Sequence, residues 1–132
     1  MVDAADCLFL LARIFLSSVF IYSGLEKLLY WREGIDELKD FRLPFPAVAL
    51  AITVAVQLGA GTMVLLGLHA RLGALILFGF TCAATLMAHR FWTMRGIAFR
   101  KSLTTALEHV AIMGGFLLIA AAGPGRFVLS AL

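Results

Sequence analysis

Four apolar runs separated by short charged connections constrain the fold of this chain most strongly. The runs cover residues 7–28, 47–68, 72–91 and 103–122, and a helix of about 20 apolar residues is long enough to cross a bilayer. Within lipid, a helix satisfies all of its backbone polar groups by itself. The sequence therefore predicts an all-α integral membrane four-helix bundle, in which residues 1–132 form a single transmembrane domain.

The composition agrees with lipid as the main solvent. Hydrophobic residues make up 62% of the chain and charged residues only 14%, whereas a soluble domain has about 25% charged residues. The net charge is +3, but the basic residues lie mostly in the connections, which is a membrane-topology pattern. We therefore expect the lipid bilayer as a partner and no nucleic acid.

A short amphipathic segment follows the first apolar run. Residues 32–42 carry charges of both signs, while Ile35, Leu38 and Phe41 recur at three-residue spacing. This pattern predicts a short helix that lies on the membrane interface. Pro44 and Pro46 close the segment, because proline suits the entry to the next helix and cannot continue the previous one.

The distribution of basic residues predicts the orientation. Eight of the 11 Lys and Arg residues lie in or beside the first and third connections, which share one side of the membrane in a four-span protein. By the positive-inside rule, loops 1 and 3 are cytoplasmic and both termini lie outside.

Four polar side chains inside the spans are candidates for structural roles: Arg13, Gln57, Thr81 and Thr85. A charge within a span is costly unless it is paired, hydrated or near a surface. We expect Arg13 to reach the nearby surface or to pair within the bundle, with Gln57 on the second span as its obvious partner. Thr81 and Thr85 are spaced by four and share a helix face with His89.

Five further polar residues are predicted to lie at similar depth near the cytoplasmic side: Glu26, Lys27, His89, Glu108 and His109. One interpretation is structural, with Glu26 and Lys27 paired across to Glu108. A second is a site for a quinone, whose carbonyl oxygens need hydrogen-bond donors beside an apolar slot. A third is a metal site, although no spacing on one helix fixes a ligand geometry. We predict quinone as the candidate cofactor and no metal site.

Several motifs occur in the order found in a known membrane-protein family. They are Arg13–Lys27, Leu43–Pro46, Leu65–Arg71, Ala88–Trp92, Gly114–Gly115 and Gly123–Gly125. Over nearly its whole length the chain resembles the DoxX family of bacterial four-helix membrane proteins. The resemblance implies a compact bundle in the bacterial inner membrane. It also implies a context such as thiosulfate:quinone oxidoreduction, or oxidative-stress defence alongside superoxide dismutase and a sulfurtransferase.

The sequence shows no nucleophile, metal or nucleotide motif, which favours a protein that is not catalytic on its own and leaves catalytic residues unknown. The leading hypothesis is an auxiliary or assembly subunit of a membrane-associated redox or oxidative-stress complex, with a protein partner or a second copy of the chain. One alternative is a quinone-binding subunit of an oxidoreductase of the thiosulfate:quinone type. Another is a small transporter or lipid-binding module that depends on Arg13 or Gln57.

Overall fold

The computed structural model describes residues 1–129, which form α-helices joined by short connections. The helices are α1 (Ala4–Leu29), α2 (Trp31–Asp40), α3 (Pro46–Leu66), α4 (Ala70–Ala88) and α5 (Gly96–Ala122), and a 3-10 turn at Phe91–Thr93 links the last two. All of them except α2 are long and apolar enough to span a membrane. The predicted all-α fold with four spans is confirmed.

The four long helices alternate in direction and pack in chain order, α1 against α3, α3 against α4 and α4 against α5. Helices α1 and α5 close the ring over a shorter stretch. One end of the bundle holds the start of α1, the link between α3 and α4, and the segment after α5. We call it the terminal end. The opposite end holds α2 and the link between α4 and α5, and we call it the connection end.

Local signals in the sequence explain where the helices begin and end. Asp3 caps α1 through a reciprocal capping box with Asp6, which satisfies backbone donors that lack helical partners. Pro46 lies in the first turn of α3, and Gly67 ends that helix in a left-handed conformation with φ 78°, which glycine adopts without strain. Helix α5 begins at Gly96 rather than at residue 103, so the basic stretch before the fourth apolar run is helical.

The predicted amphipathic segment forms α2, which packs on α3 and α1. Gly34 is buried in this contact. A Cβ atom at that position would lie 3.0 Å from Leu50 Cδ2, so a glycine lets α2 sit close to α3. Leu38 and Phe41 point towards the bundle and are half-buried, while the charged residues of α2 remain exposed.

The apolar core lies in the half of the bundle near the terminal end. Its buried residues are Phe20, Ala60, Val64, Ala70, Ala74, Leu77, Phe116 and Ile119. The rings of Phe20 and Phe116 contact each other with centroids 5.4 Å apart, and small residues on α3 and α4 let the helices approach. Close approach through small side chains is the usual way in which helices associate within lipid. This half of the bundle is therefore well packed.

Arg13 is buried at the terminal end, with 1% of its surface exposed. Its Nε donates to the Val64 carbonyl at 3.0 Å and its Nη2 to the Leu65 carbonyl at 2.9 Å. Its Nη1 donates to the carbonyls of Pro124 at 2.9 Å and Phe127 at 2.5 Å. The last carbonyls of a helix lack intrahelical partners and carry partial negative charge. The guanidinium thus caps α3 and attaches the segment after α5 to it.

The predicted pairing of Arg13 with Gln57 is wrong. Gln57 lies seven residues before Val64 on α3, which is about 10 Å along a helix with a rise of about 1.5 Å per residue. The carbonyls at the end of α3 are closer to Arg13, and together with the segment after α5 they accept from four of the five N–H groups of the guanidinium. Arg13 therefore pairs within the bundle, with backbone instead of a side chain.

The segment after α5 folds back over the link between α3 and α4. The Leu129 amide donates to the Leu66 carbonyl at 2.8 Å. A Cβ atom at Gly67 would lie 2.6 Å from Val128 Cγ1, so this contact also requires a glycine. The C-terminal segment, the end of α3 and Arg13 therefore form one connected structure.

We expect Arg13→Met to lower the free energy of unfolding by about 3 kcal/mol or more, because four carbonyls lose a charged donor. The stability of Arg13→Lys should lie between that of the wild type and that of Arg13→Met, since a compact ammonium cannot reproduce the guanidinium geometry. Unfolding in detergent micelles measures these changes. Arg100→Met, at an exposed position, is the control and should be nearly neutral. Equal stability of Arg13→Met and the wild type would contradict the role of this side chain.

Candidate ligand-binding site

A cavity of about 570 Å³ lies between the helices in the half of the bundle near the connection end. All five helices contribute to its walls. The apolar part includes Val19, Phe20, Leu50, Ile52, Phe80, Ala84, Met87 and Ile112. The polar part consists of Ser23, Lys27, Glu37, Thr53, Gln57, Thr81, His89 and His109. A mostly apolar cavity of this size with a few polar groups is typical of small-molecule sites.

Helix α1 contributes two polar side chains spaced by four, which places them on one face. Lys27 Nζ donates to Ser23 Oγ at 2.7 Å. Gly24 lies between them and is buried against α3, where a Cβ atom would lie 2.8 Å from Leu58 Cδ2. A glycine at this position therefore allows α1 to approach α3 closely enough for Ser23 to meet Gln57.

Gln57 is buried, with 6% of its surface exposed. Its Nε2 donates to Ser23 Oγ at 3.3 Å, whereas its Oε1 has no hydrogen-bond partner within residues 1–129. An unpaired buried acceptor costs about 1–3 kcal/mol. The amide thus connects α3 to α1 with one end and leaves an unsatisfied acceptor with the other.

Thr85 determines the tautomer of His109. The hydroxyl of Thr85 donates to the Thr81 carbonyl at 2.6 Å, and its oxygen lies 2.8 Å from His109 Nδ1. Because the hydroxyl proton is already in use, the oxygen must accept from an Nδ1–H group. Neutral imidazole carries one proton, so Nε2 of His109 keeps its lone pair.

His89 follows the last residue of α4 and lines the cavity beside His109. The centroids of the two rings lie 5.3 Å apart and the rings are nearly perpendicular. Thr81, the other predicted structural threonine, is buried and donates to the Leu77 carbonyl at 2.7 Å. The predicted stripe of Thr81, Thr85 and His89 therefore faces the interior of the bundle.

The structure brings together three of the five predicted ligand residues. Lys27, His89 and His109 line the cavity, whereas Glu26 and Glu108 are exposed on the outer faces of α1 and α5. The proposed pairing of Glu26 and Lys27 with Glu108 is not observed, because Lys27 binds Ser23 instead. The reason is geometric: consecutive residues on an α-helix point about 100° apart, so an inward Lys27 or His109 turns the preceding glutamate outwards.

Sequence reasoning missed Ser23, which joins Lys27 to Gln57 and so connects two helices. The available signal was its spacing of four from Lys27. It also missed the contribution of α2 and the residue that follows it, since Leu38 and Phe41 line the cavity. Their three-residue spacing indicated an interfacial helix but not the surface against which it packs.

No metal centre is apparent in residues 1–129, where no group of three or more His, Cys, Asp or Glu side chains is placed to hold an ion. The two cavity histidines lie together, but the neighbouring glutamates Glu26 and Glu108 point away from them.

A sequence model of the DoxX family matches residues 8–90. This stretch contains all of α2, α3 and α4 and all of α1 except its first four residues, and it includes Ser23, Lys27, Gln57 and His89. The chain belongs to the DoxX family. The predicted family membership is thus confirmed. No solved structure matches this family member.

Two curated relatives come from Escherichia coli K12. Inner membrane protein YphA is 29% identical over 126 residues, which cover 96% of this chain and 90% of the relative. Inner membrane protein YqjF is 30% identical over 125 residues, which cover 93% of this chain and 89% of the relative. Together with the four apolar helices, these relatives identify this DoxX protein as a multi-pass inner membrane protein.

We expect neutral His109 to carry its proton on Nδ1. Thr85→Val removes the acceptor and should abolish this tautomer preference, which nitrogen NMR of histidine-labelled protein measures directly. Thr104→Val, at an exposed position on α5, is the matched control and should leave the His109 signals unchanged. A wild-type signal from an Nε2–H tautomer would contradict the assigned hydrogen bond.

Proposed function

We propose that this DoxX protein binds a lipid-soluble molecule of the quinone class in the cavity and serves as a membrane subunit of a redox or oxidative-stress complex. The observation that carries the proposal is the combination of apolar walls with Ser23, Lys27, Gln57 and the two histidines in one cavity. A quinone has the same division, with polar oxygens on a ring and an apolar tail.

The polar groups suit the oxygens of such a ring. Lys27 carries three N–H donors and uses one of them on Ser23, so others remain for a ligand oxygen. A hydrogen bond from an ammonium group is stronger than one between neutral groups. Lys27 would therefore orient the ring and stabilise negative charge on its oxygen when electrons arrive from a partner protein.

The apolar walls suit the tail and its route into the membrane. Val19 on α1 and Ile52 on α3 both line the cavity, yet they are 48% and 59% exposed. The cavity thus extends to the surface that lipid covers. A ligand could keep its ring among the polar groups while its tail follows these side chains into the bilayer.

We expect decylubiquinone to bind saturably to the purified protein in lipid nanodiscs and to quench the fluorescence of Trp31 and Trp92, which lie near the connection end. Ala84→Phe should weaken binding at least about tenfold, because a phenyl ring in the cavity overlaps the ligand. Ala111→Phe makes the same change on the exposed face of α5 and should bind normally. Equal binding by both variants would place the ligand elsewhere.

The auxiliary-subunit role has separate support from the outer surface of α5. Glu108 is exposed there beside Leu107 and Val110, which are 58% and 54% exposed. Among residues 1–129 it has no ion-pair partner. A carboxylate on an apolar helix face is costly in lipid, and a basic or hydrogen-bonding group on a partner protein would remove that cost.

We expect a redox protein to co-purify in fixed proportion when the tagged protein is extracted from its native membrane with mild detergent. Glu108→Gln should reduce the recovery of this partner, since it removes the outward charge. Glu33→Gln, on the exposed side of α2, is the control and should leave the recovery unchanged. Quantitative mass spectrometry measures both, and a protein found alone and monomeric would contradict the auxiliary role.

A further inference from the structure

We infer that the cavity selects amphiphiles with a hydroxyl head group, such as a phenol or a quinol, over the matching carbonyl or ether compound. The inference rests on the proposed function, because it concerns the same cavity. It follows from the juxtaposition of the unpaired Gln57 carbonyl and the His109 ring, both of which line one largely apolar space.

The threonine hydroxyls of the cavity are not free to donate to a ligand. Thr53 donates to the Ala49 carbonyl at 2.9 Å, and Thr81 donates to the Leu77 carbonyl at 2.7 Å. Both protons therefore belong to backbone hydrogen bonds within their own helices. The donors that remain among the described residues include Lys27 and Ser23 on α1, the second N–H of the Gln57 amide and His89.

Two acceptors of the cavity are also left without partners among the described residues. Gln57 Oε1 is buried without a partner. His109 has its Nδ1–H on Thr85, so its Nε2 offers a lone pair and has no partner among the residues that the structure describes. A ligand that only accepts hydrogen bonds leaves both of these acceptors without a donor.

A hydroxyl head group satisfies both sides of the site at once. Its O–H donates to Gln57 Oε1 or His109 Nε2, and its oxygen accepts from Lys27 or Ser23. A site built around a ligand hydroxyl discriminates strongly against the analogue that lacks it, because its buried polar groups are then left unpaired. The oxidised form of a quinone is such an analogue, and its reduced form carries the required hydroxyls.

A stable pair of probes tests this preference without redox chemistry. 4-Hexylphenol and 4-hexylanisole share the ring, the tail and the head-group oxygen, and the anisole carries a methyl group in place of the hydroxyl proton. Binding is measured in lipid nanodiscs, and empty nanodiscs correct for partitioning into lipid. We expect the phenol to bind roughly tenfold more tightly than the anisole, because the anisole leaves a buried acceptor without a donor. Decylubiquinol, measured under reducing conditions, should likewise bind more tightly than decylubiquinone, measured under oxidising conditions.

Gln57→Met assigns the preference to the amide. This variant should weaken phenol binding to the level of anisole binding and leave anisole binding unchanged, because only the phenol donates to the Gln57 carbonyl. Ser102→Ala is the matched control, since in the described part of the chain Ser102 also has a buried side-chain oxygen without a partner, and it lies outside the cavity. That variant should keep the full preference for the phenol.

The outcomes separate this inference from the proposed function. Equal binding of the two probes to the wild type, or tighter binding of the anisole, overturns the hydroxyl preference and leaves the cavity as a binding site. If neither probe nor decylubiquinone binds saturably, or if Ala84→Phe changes nothing, the proposed function fails as well. The wild-type comparison decides the question even where Gln57→Met does not fold.

Discussion

The contact between the Arg13 guanidinium and four backbone carbonyls is the interaction on which the rest of this bundle depends. It joins α1 to the end of α3 and to the segment after α5. Because Arg13 must face these carbonyls, the rotation of α1 about its axis is determined. Ser17, Phe20 and Gly24 follow at spacings of four, three and four and are buried on the same face, and Lys27 continues the series into the cavity. One buried cation thus orients the α1 side of the candidate site, at the opposite end of the helix.

The two halves of the bundle perform different tasks. Near the terminal end, Phe20, Phe116 and the small residues of α3 and α4 fill the space between the helices, as dense packing within lipid requires. Near the connection end the helices enclose a cavity of about 570 Å³ that α2 partly covers. The packed half holds the helices in register, so that polar groups from separate helices converge in the open half without a continuous core around them. This arrangement suits a binding protein, whose site must be preorganised and yet accessible from lipid.

Two adjacent pairs illustrate how helix geometry divides polar residues between roles. In Glu26–Lys27 and Glu108–His109 the second residue lines the cavity and the first is exposed. The inward members point their polar groups into the cavity, while the outward carboxylates lie on the outer surface of the bundle. The proposed binding in the cavity and the proposed association through the outer surface are therefore compatible in one small bundle. Both belong to the proposal of a membrane subunit in a redox or oxidative-stress complex.

The sequence by itself determined the four spans, the short amphipathic helix and membership of the DoxX family, because run length, hydropathy and local turn signals act within a few residues of one another. It also singled out Lys27, Gln57, His89 and His109 as polar residues that lipid would not tolerate without a role. Only the tertiary structure decided that Arg13 binds carbonyls rather than Gln57, that Ser23 joins two helices, and that Glu26 and Glu108 point outwards. Those outcomes depend on the rotation of each helix and on which backbone groups lie unpaired nearby. The rotation of each helix is set by packing between residues that are distant in the chain, so it cannot be predicted from a local sequence pattern.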